Sequence, residues 1–152
     1  MMFSLSMDEL DERILTEYQK DATVSYNTLA ERLGEASSTV FNRIKRMTQQ
    51  GVIKAIVPLL DYEALGKGTT AWIQIGLSMD VDCCDVAEEL ARRPDIMEVH
   101  EVAGEYDILV KVKVENNLAL HGLTKTIEVE GITKMASIIA FKTVKEDPRM
   151  VI

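Results

Sequence analysis

The sequence predicts an α+β chain in two parts, and three observations carry that reading. Between residues 7 and 50, apolar side chains recur at helical spacing in three short runs. From Ala71 to Met79 the rhythm changes to strict alternation, the period of a strand with one buried face. Beyond it, helix-like and strand-like runs follow in the order β-α-β-β-α-β.

The first helix opens at Ser6, which with Glu9 reads as a capping box, and Asp8, Glu9, Asp11 and Glu12 suit the positive end of its dipole. Met7, Leu10, Ile14 and Tyr18 share one face. The second helix starts near Ser25, turns Leu29, Ala30 and Leu33 inward, and stops at Gly34. The third runs from about Ser37 to Gln50, with Val40, Ile44 and Met47 as its inner stripe, and ends at Gly51. Val52 to Val57 is a β-rich run broken by Pro58. Residues 1–60 therefore predict a winged helix-turn-helix, and 61–69, with two glycines and little periodicity, a hinge.

Residues 70–152 predict a ferredoxin-like βαββαβ domain. Its strands are expected at Ala71–Met79, Ile96–Ala103, Ile108–Val114 and Ile132–Val144. The helices are expected at Val81–Arg93, stopped before Pro94, and from a cap at Asn117 through Leu120, Leu123 and Ile127 to Gly131. Trp72 falls on the sheet face opposite Ile73.

Composition narrows the function. The 152 residues carry 17 Lys and Arg against 25 Asp and Glu, a formal charge of −8, which argues against a protein that coats nucleic acid by bulk charge. No apolar run is long enough to span a membrane, and the N-terminus turns acidic where a secretory signal would lengthen its apolar stretch. The only cysteines, Cys83 and Cys84, are adjacent and cannot staple a fold or form a four-ligand metal site. A cytoplasmic location is the expectation. His100 and His121 have no ligand-type residue at metal spacing and read as structural.

The charge is uneven. Residues 1–60 hold seven bases and eight acids, whereas residues 61–152 hold ten bases and seventeen acids. From Ala36 to Leu60 there are four bases, Arg43, Lys45, Arg46 and Lys54, and no acid. A surface that must approach phosphate explains such a window, because carboxylates there would repel it. A fluctuation on a solvated helix face is the alternative. Helical phase points Ser38, Asn42, Lys45 and Arg46 outward with Thr39 beside them, a set suited to phosphates and base edges. Arg43 lies nearer the core boundary, within reach of a phosphate. Phe41 sits on a flank, where contact with a thymine methyl or plain packing would each account for it. Ser37, Ser38, Thr39, Asn42, Arg43, Lys45, Arg46 and Lys54 are the candidate contacts to double-stranded DNA, although helix-turn-helix units also bind proteins.

Leu10-Asp11-Glu12-Arg13-Ile14-Leu15, Leu29-Ala30-Glu31-Arg32-Leu33-Gly34, Ser38-Thr39-Val40 with Arg43-Ile44-Lys45-Arg46-Met47, and Gly51-Val52-Ile53-Lys54 together resemble the Lrp/AsnC (feast/famine) regulators. The likeness continues through Asp61-Tyr62-Glu63-Ala64-Leu65-Gly66 and the whole second half. It implies a transcriptional regulator rather than an enzyme, with no cofactor beyond an amino-acid effector. It also implies a homodimer that assembles further, commonly to an octamer. Ala36 stands where the family usually has a capping Ser.

Gly104-Glu105-Tyr106-Asp107 resembles the family's effector loop, usually Gly-Asp-Tyr-Asp. Exposed N–H groups in such a turn can hold a carboxylate, and Asp107 can accept from an ammonium. An ordinary hairpin with solvated acids is the other reading. By resemblance, a neighbouring subunit's last strand completes the site. Met135-Ala136-Ser137 stands there in place of Thr-x-Thr, so Met135 and Ser137 join the candidate effector residues. Two further readings stay open. Siroheme decarboxylases resemble this family in both halves, but the basic recognition face and the lack of a His–Arg cluster count against them. A regulator acting architecturally without a ligand is favoured only by Met135.

Overall fold

The computed structural model describes residues 7–152. They separate into two compact units, one holding the chain up to Leu59 together with Glu146–Ile152, the other Leu60–Lys145.

The first unit contains α1 (Glu9–Lys20), α2 (Tyr26–Leu33) and α3 (Ser37–Gln49). Ser6, expected to cap α1, lies outside the described residues. The capping box belongs to Asp8 and Asp11: Asp11 N–H donates to Asp8 at 3.0 Å and Asp8 N–H to Asp11 at 3.2 Å. Ser25 caps α2 through the Thr28 amide, and Gly34 closes that helix with φ 71°, a left-handed conformation in which a Cβ would be strained. Arg13 donates to Leu33 O at 2.7 Å, tying α1 to the carbonyl end of α2. Ile14, Leu29, Val40 and Met47 are fully buried where the three helices meet. The β-rich run after α3 forms no strand, contrary to expectation. The amides of Val52 and Ile53 instead both donate to Met47 O, finishing the end of α3. A strand needs a neighbour to take its N–H and C=O groups, and β-propensity alone supplies none.

The second unit contains β1 (Thr69–Leu77), α4 (Cys83–Ala91), β2 (Glu98–Glu101), β3 (Ile108–Val114), α5 (Asn117–Lys125) and β4 (Ile132–Ile139). The strands are antiparallel in the order β2-β3-β1-β4, the ferredoxin-like arrangement. Ala71, Ile73 and Ile75 of β1 and Ile108, Val110 and Val112 of β3 are fully buried against Val86, Leu90 and Leu120 of the helices. Trp72, Gln74, Leu109, Lys111 and Ile138 share the opposite face by register, and no helix of this unit covers it.

Several expected ends move inward, for local reasons. β4 stops at Ile139 instead of Val144 because its pairing has reached the start of β1, the last contact being Ala140 N–H to Thr70 O. β2 shrinks to four residues, those that β3 can pair. α4 begins at Cys83 because Asp82 caps it, and α5 is capped by Asn116 rather than Asn117.

Candidate nucleic-acid interface and effector loop

α3 turns Val40, Ile44 and Met47 into the core and leaves Ser38, Phe41, Asn42 and Lys45 exposed, with Ser37 and Thr39 half-buried. Lys54 follows the helix and is also exposed. Ala36 occupies the N-cap with no side-chain hydrogen bond, so Ser37 and Ser38 do not take over that role.

Arg43 and Arg46 do something the helical phase does not reveal. Arg46 pairs with the Asp11 carboxylate, which is completely buried, and Arg43 lies 3.3 Å from the same group and 2.5 Å from Asp8. Two guanidiniums from α3 thus meet the carboxylates of Asp11 in α1 and of Asp8, its N-cap. The amide of Asp11 and the Arg43 guanidinium together hold the Asp8 carboxyl below its ordinary range. Of the four bases in the acid-free window, two are therefore neutralised within the unit. Lys45 enters no ion pair among the described residues. The clue available in the sequence was an acid at Asp11, three and seven residues before the inward Ile14 and Tyr18, a position that calls for a cation.

In the second unit, Gly104–Asp107 joins β2 to β3. Val102 N–H donates to Asp107 O, and Asp107 N–H to Ile75 O at 3.0 Å. One carboxylate oxygen of Asp107 accepts the Leu77 amide at 2.8 Å, where the β1–β4 register shifts between Gly76 and Leu77. That leaves the other oxygen for a further donor. Lys134 of β4 reaches the loop: its ammonium lies 3.4 Å from Glu105 and 4.4 Å from the centre of the Tyr106 ring. Gly76 makes this possible, because a Cβ there would sit 2.6 Å from Lys134 Cε and 2.7 Å from its Cγ. Lys134 was missed in the sequence because alternation along a strand does not say which loop its face adjoins.

Met135 pairs opposite Ile75 and Ser137 opposite Ile73, so both share the helix-side face, at the open edge of the sheet. Lys134, Glu105 and Tyr106 meet within one chain, whereas Met135 and Ser137 lie on the other side of their strand. Cys83 packs at the core margin, and burial together with Glu101 and Asp107 pushes its thiol up; Glu101 chiefly does the same for exposed Cys84. His100 is exposed beside Glu98 at 3.3 Å. Among the described residues no group of three or more His, Cys, Asp and Glu could hold a metal, and no helix is long and apolar enough to cross a membrane.

A helix-turn-helix unit followed by a βαββαβ unit with a loop of this kind defines a DNA-binding transcriptional regulator carrying a ligand-binding domain. Residues 7–54 match the winged helix-turn-helix DNA-binding model, and residues 70–150 match the Lrp/AsnC ligand binding domain. The chain belongs to the Lrp/AsnC family. It is 37% identical over 145 residues to an uncharacterized HTH-type transcriptional regulator of Pyrococcus horikoshii, covering 93% of this chain and 97% of that one. With the HTH-type transcriptional regulator FL11 of Pyrococcus furiosus it shares 33% identity over 141 residues, 92% and 93% of the two chains. The crystal structure of an AsnC family regulator from Agrobacterium tumefaciens superposes with a TM-score of 0.86 at 27% identity, covering 95% and 96%. A Neisseria meningitidis regulator solved in complex with L-Met has the same fold, with a TM-score of 0.86 at 20% identity over 95% and 96% of the chains.

Proposed function

We propose that the chain binds double-stranded DNA in a sequence-specific manner through α3, and that its second unit senses an α-amino acid and assembles copies of the protein. The observation that carries the DNA reading is the exposed row Ser38, Asn42 and Lys45 on a helix that buries Val40, Ile44 and Met47 and turns Arg43 and Arg46 toward Asp8 and Asp11. Ser37 and Ser38, at the uncapped start of α3, suit phosphates through hydroxyls and amide N–H groups, and Thr39, whose amide donates to Ala36 O, through its hydroxyl. Asn42 suits a base edge, and Lys45 and Lys54 suit phosphates. Arg43 and Arg46 belong to this surface with their charge shared with Asp8 and Asp11. Titrating the protein on DNA at several salt concentrations tests the assignment. Lys45→Ala should flatten the slope of log affinity against log salt by about 0.9, and an unchanged slope would remove Lys45 from the interface.

The effector reading rests on Gly104, Glu105, Tyr106 and Asp107. One oxygen of Asp107 is left for an ammonium, and the turn supplies N–H groups for a carboxylate. Ser137 and Met135 of a neighbouring copy complete the site in this reading. The exposed edge position of both residues supports it. Calorimetry with each of the twenty amino acids decides the matter: binding to the parent chain that persists undiminished in Asp107→Ala would dismiss Asp107 as the ammonium partner.

Assembly follows from the uncovered sheet face. Trp72, Leu109 and Ile138 form an apolar centre flanked by Lys111, a surface that two copies can stack to bury. A homodimer is the unit, and an octamer the further assembly. Light scattering of Trp72→Glu should report a monomer where the parent reports an oligomer.

A further inference from the structure

Phe41 stands out on α3. It is 43% exposed and lies one turn after Ser38 and one turn before Lys45, on the side away from the core. Its ring is not loose. Tyr26, the first residue of α2, meets it edge to face, with centroids 5.4 Å apart and planes at 69°. Tyr26 is itself 38% exposed and adjoins the buried Tyr18, whose phenol is pushed up by burial and by the Tyr26 hydroxyl. Around the pair runs an open hollow of about 510 Å³ lined by Ser25, Tyr26, Asn27, Ser37, Ser38 and Phe41, all uncharged.

The helix packing does not need this ring, because Val40, Ile44 and Met47 already fill the inner side of α3. What it offers is a braced apolar surface among hydroxyls and amides, beside Lys45, within a stretch without acids. In the major groove the one apolar group displayed by the four bases is the C5 methyl of thymine. Resting on the reading of α3 as the helix that enters the groove, we propose that Phe41 reads a thymine methyl and that Tyr26 is the positioning residue that holds its ring.

The probe is a duplex that the full-length protein selects from a random-sequence pool, with each thymine of the selected site replaced in turn by uracil, which lacks only that methyl. Replacement at one position should weaken binding about fourfold, the effect of burying one methyl-sized group, and leave the other positions alone. Phe41→Ala should bind thymine and uracil duplexes equally, and Tyr26→Ala should lose most of the discrimination, while Tyr26→Phe retains it. A parent indifferent to uracil at every thymine would overturn the proposal, as would a Phe41→Ala variant that still discriminates. Loss of self-association in Phe41→Ala with an unchanged uracil response would make the pair a protein-contact surface instead. Failure to select any duplex would fell the recognition-helix reading and this inference with it.

Discussion

The Arg46 guanidinium rests on the Asp11 carboxylate, and Asp11 is wholly out of contact with solvent. A carboxylate in that position is tolerable only when cations face it, and Arg43 supplies the second. The pairing joins α1 and α3 beside the apolar cluster in which Ile14, Val40 and Met47 are buried.

Removing one side of the pair should therefore cost stability. Asp11→Ala takes the carboxylate from Arg46, while Arg43 keeps Asp8, and we expect a loss of about 2 kcal/mol, read by urea denaturation. Arg46→Ala should cost less, because Arg43 still faces the acid. Lys45→Ala should leave the urea midpoint unchanged, which separates a charge that supports the fold from one we propose for the DNA surface.

The neighbouring Asp8 carries a pH dependence. Its carboxyl titrates below its ordinary value when folded, so its contribution is complete above about pH 4 and is lost as pH falls through the lowered value. The first unit should accordingly loosen below about pH 4, and Asp8→Asn should be less stable than the parent at pH 7 but lose less on acidification. Far-UV circular dichroism of both proteins between pH 7 and pH 2 measures the difference.

Ala36 predicts a gain. It holds the N-cap of α3 in extended backbone, φ −74° and ψ 139°, the conformation a capping serine adopts, but it offers no acceptor. Ala36→Ser should stabilise the chain by about 1 kcal/mol, visible as a higher thermal midpoint. An unchanged midpoint would mean that α3 gains nothing from a side-chain acceptor at its start.

Gly76 and Lys134 should behave as a coupled pair. Gly76→Ala places a methyl where the lysine stem runs, so the side chain must leave Glu105 and Tyr106 at a cost of about 1 kcal/mol. Adding Lys134→Ala removes the obstruction. The double variant should lose less than the two single losses combined, a non-additivity that a thermodynamic cycle detects.

Features decided within a few residues were legible in the sequence. Ser25 and Gly34 bounded α2 as expected, because a cap and a left-handed glycine act on their own turn. The alternation of β1 showed which residues are buried, since Ile73 and Ile75 need only a covered face. Features set by a distant partner were not. The end of β4 depends on where β1 begins, and Val52–Val57 carries strand propensity with no strand beside it. The basic window was visible in the sequence, but its division was not. Nothing local distinguishes Lys45 from Arg46, and only the packing of α1 against α3 commits one of them to Asp11.

The last residues of the chain return to the first unit, where Gln19 exchanges two hydrogen bonds with the Met150 backbone, at 3.1 and 3.2 Å. Met150 and Ile152 there line an apolar hollow of about 570 Å³ together with Leu15, Tyr18 and Ile53. The reading head is thus assembled from both termini and is not a contiguous module. Grafting it onto another domain, or cutting it free after residue 60, would leave one wall of that hollow behind. A chimaera that keeps the head whole must carry two pieces of sequence, one from each side of the second unit.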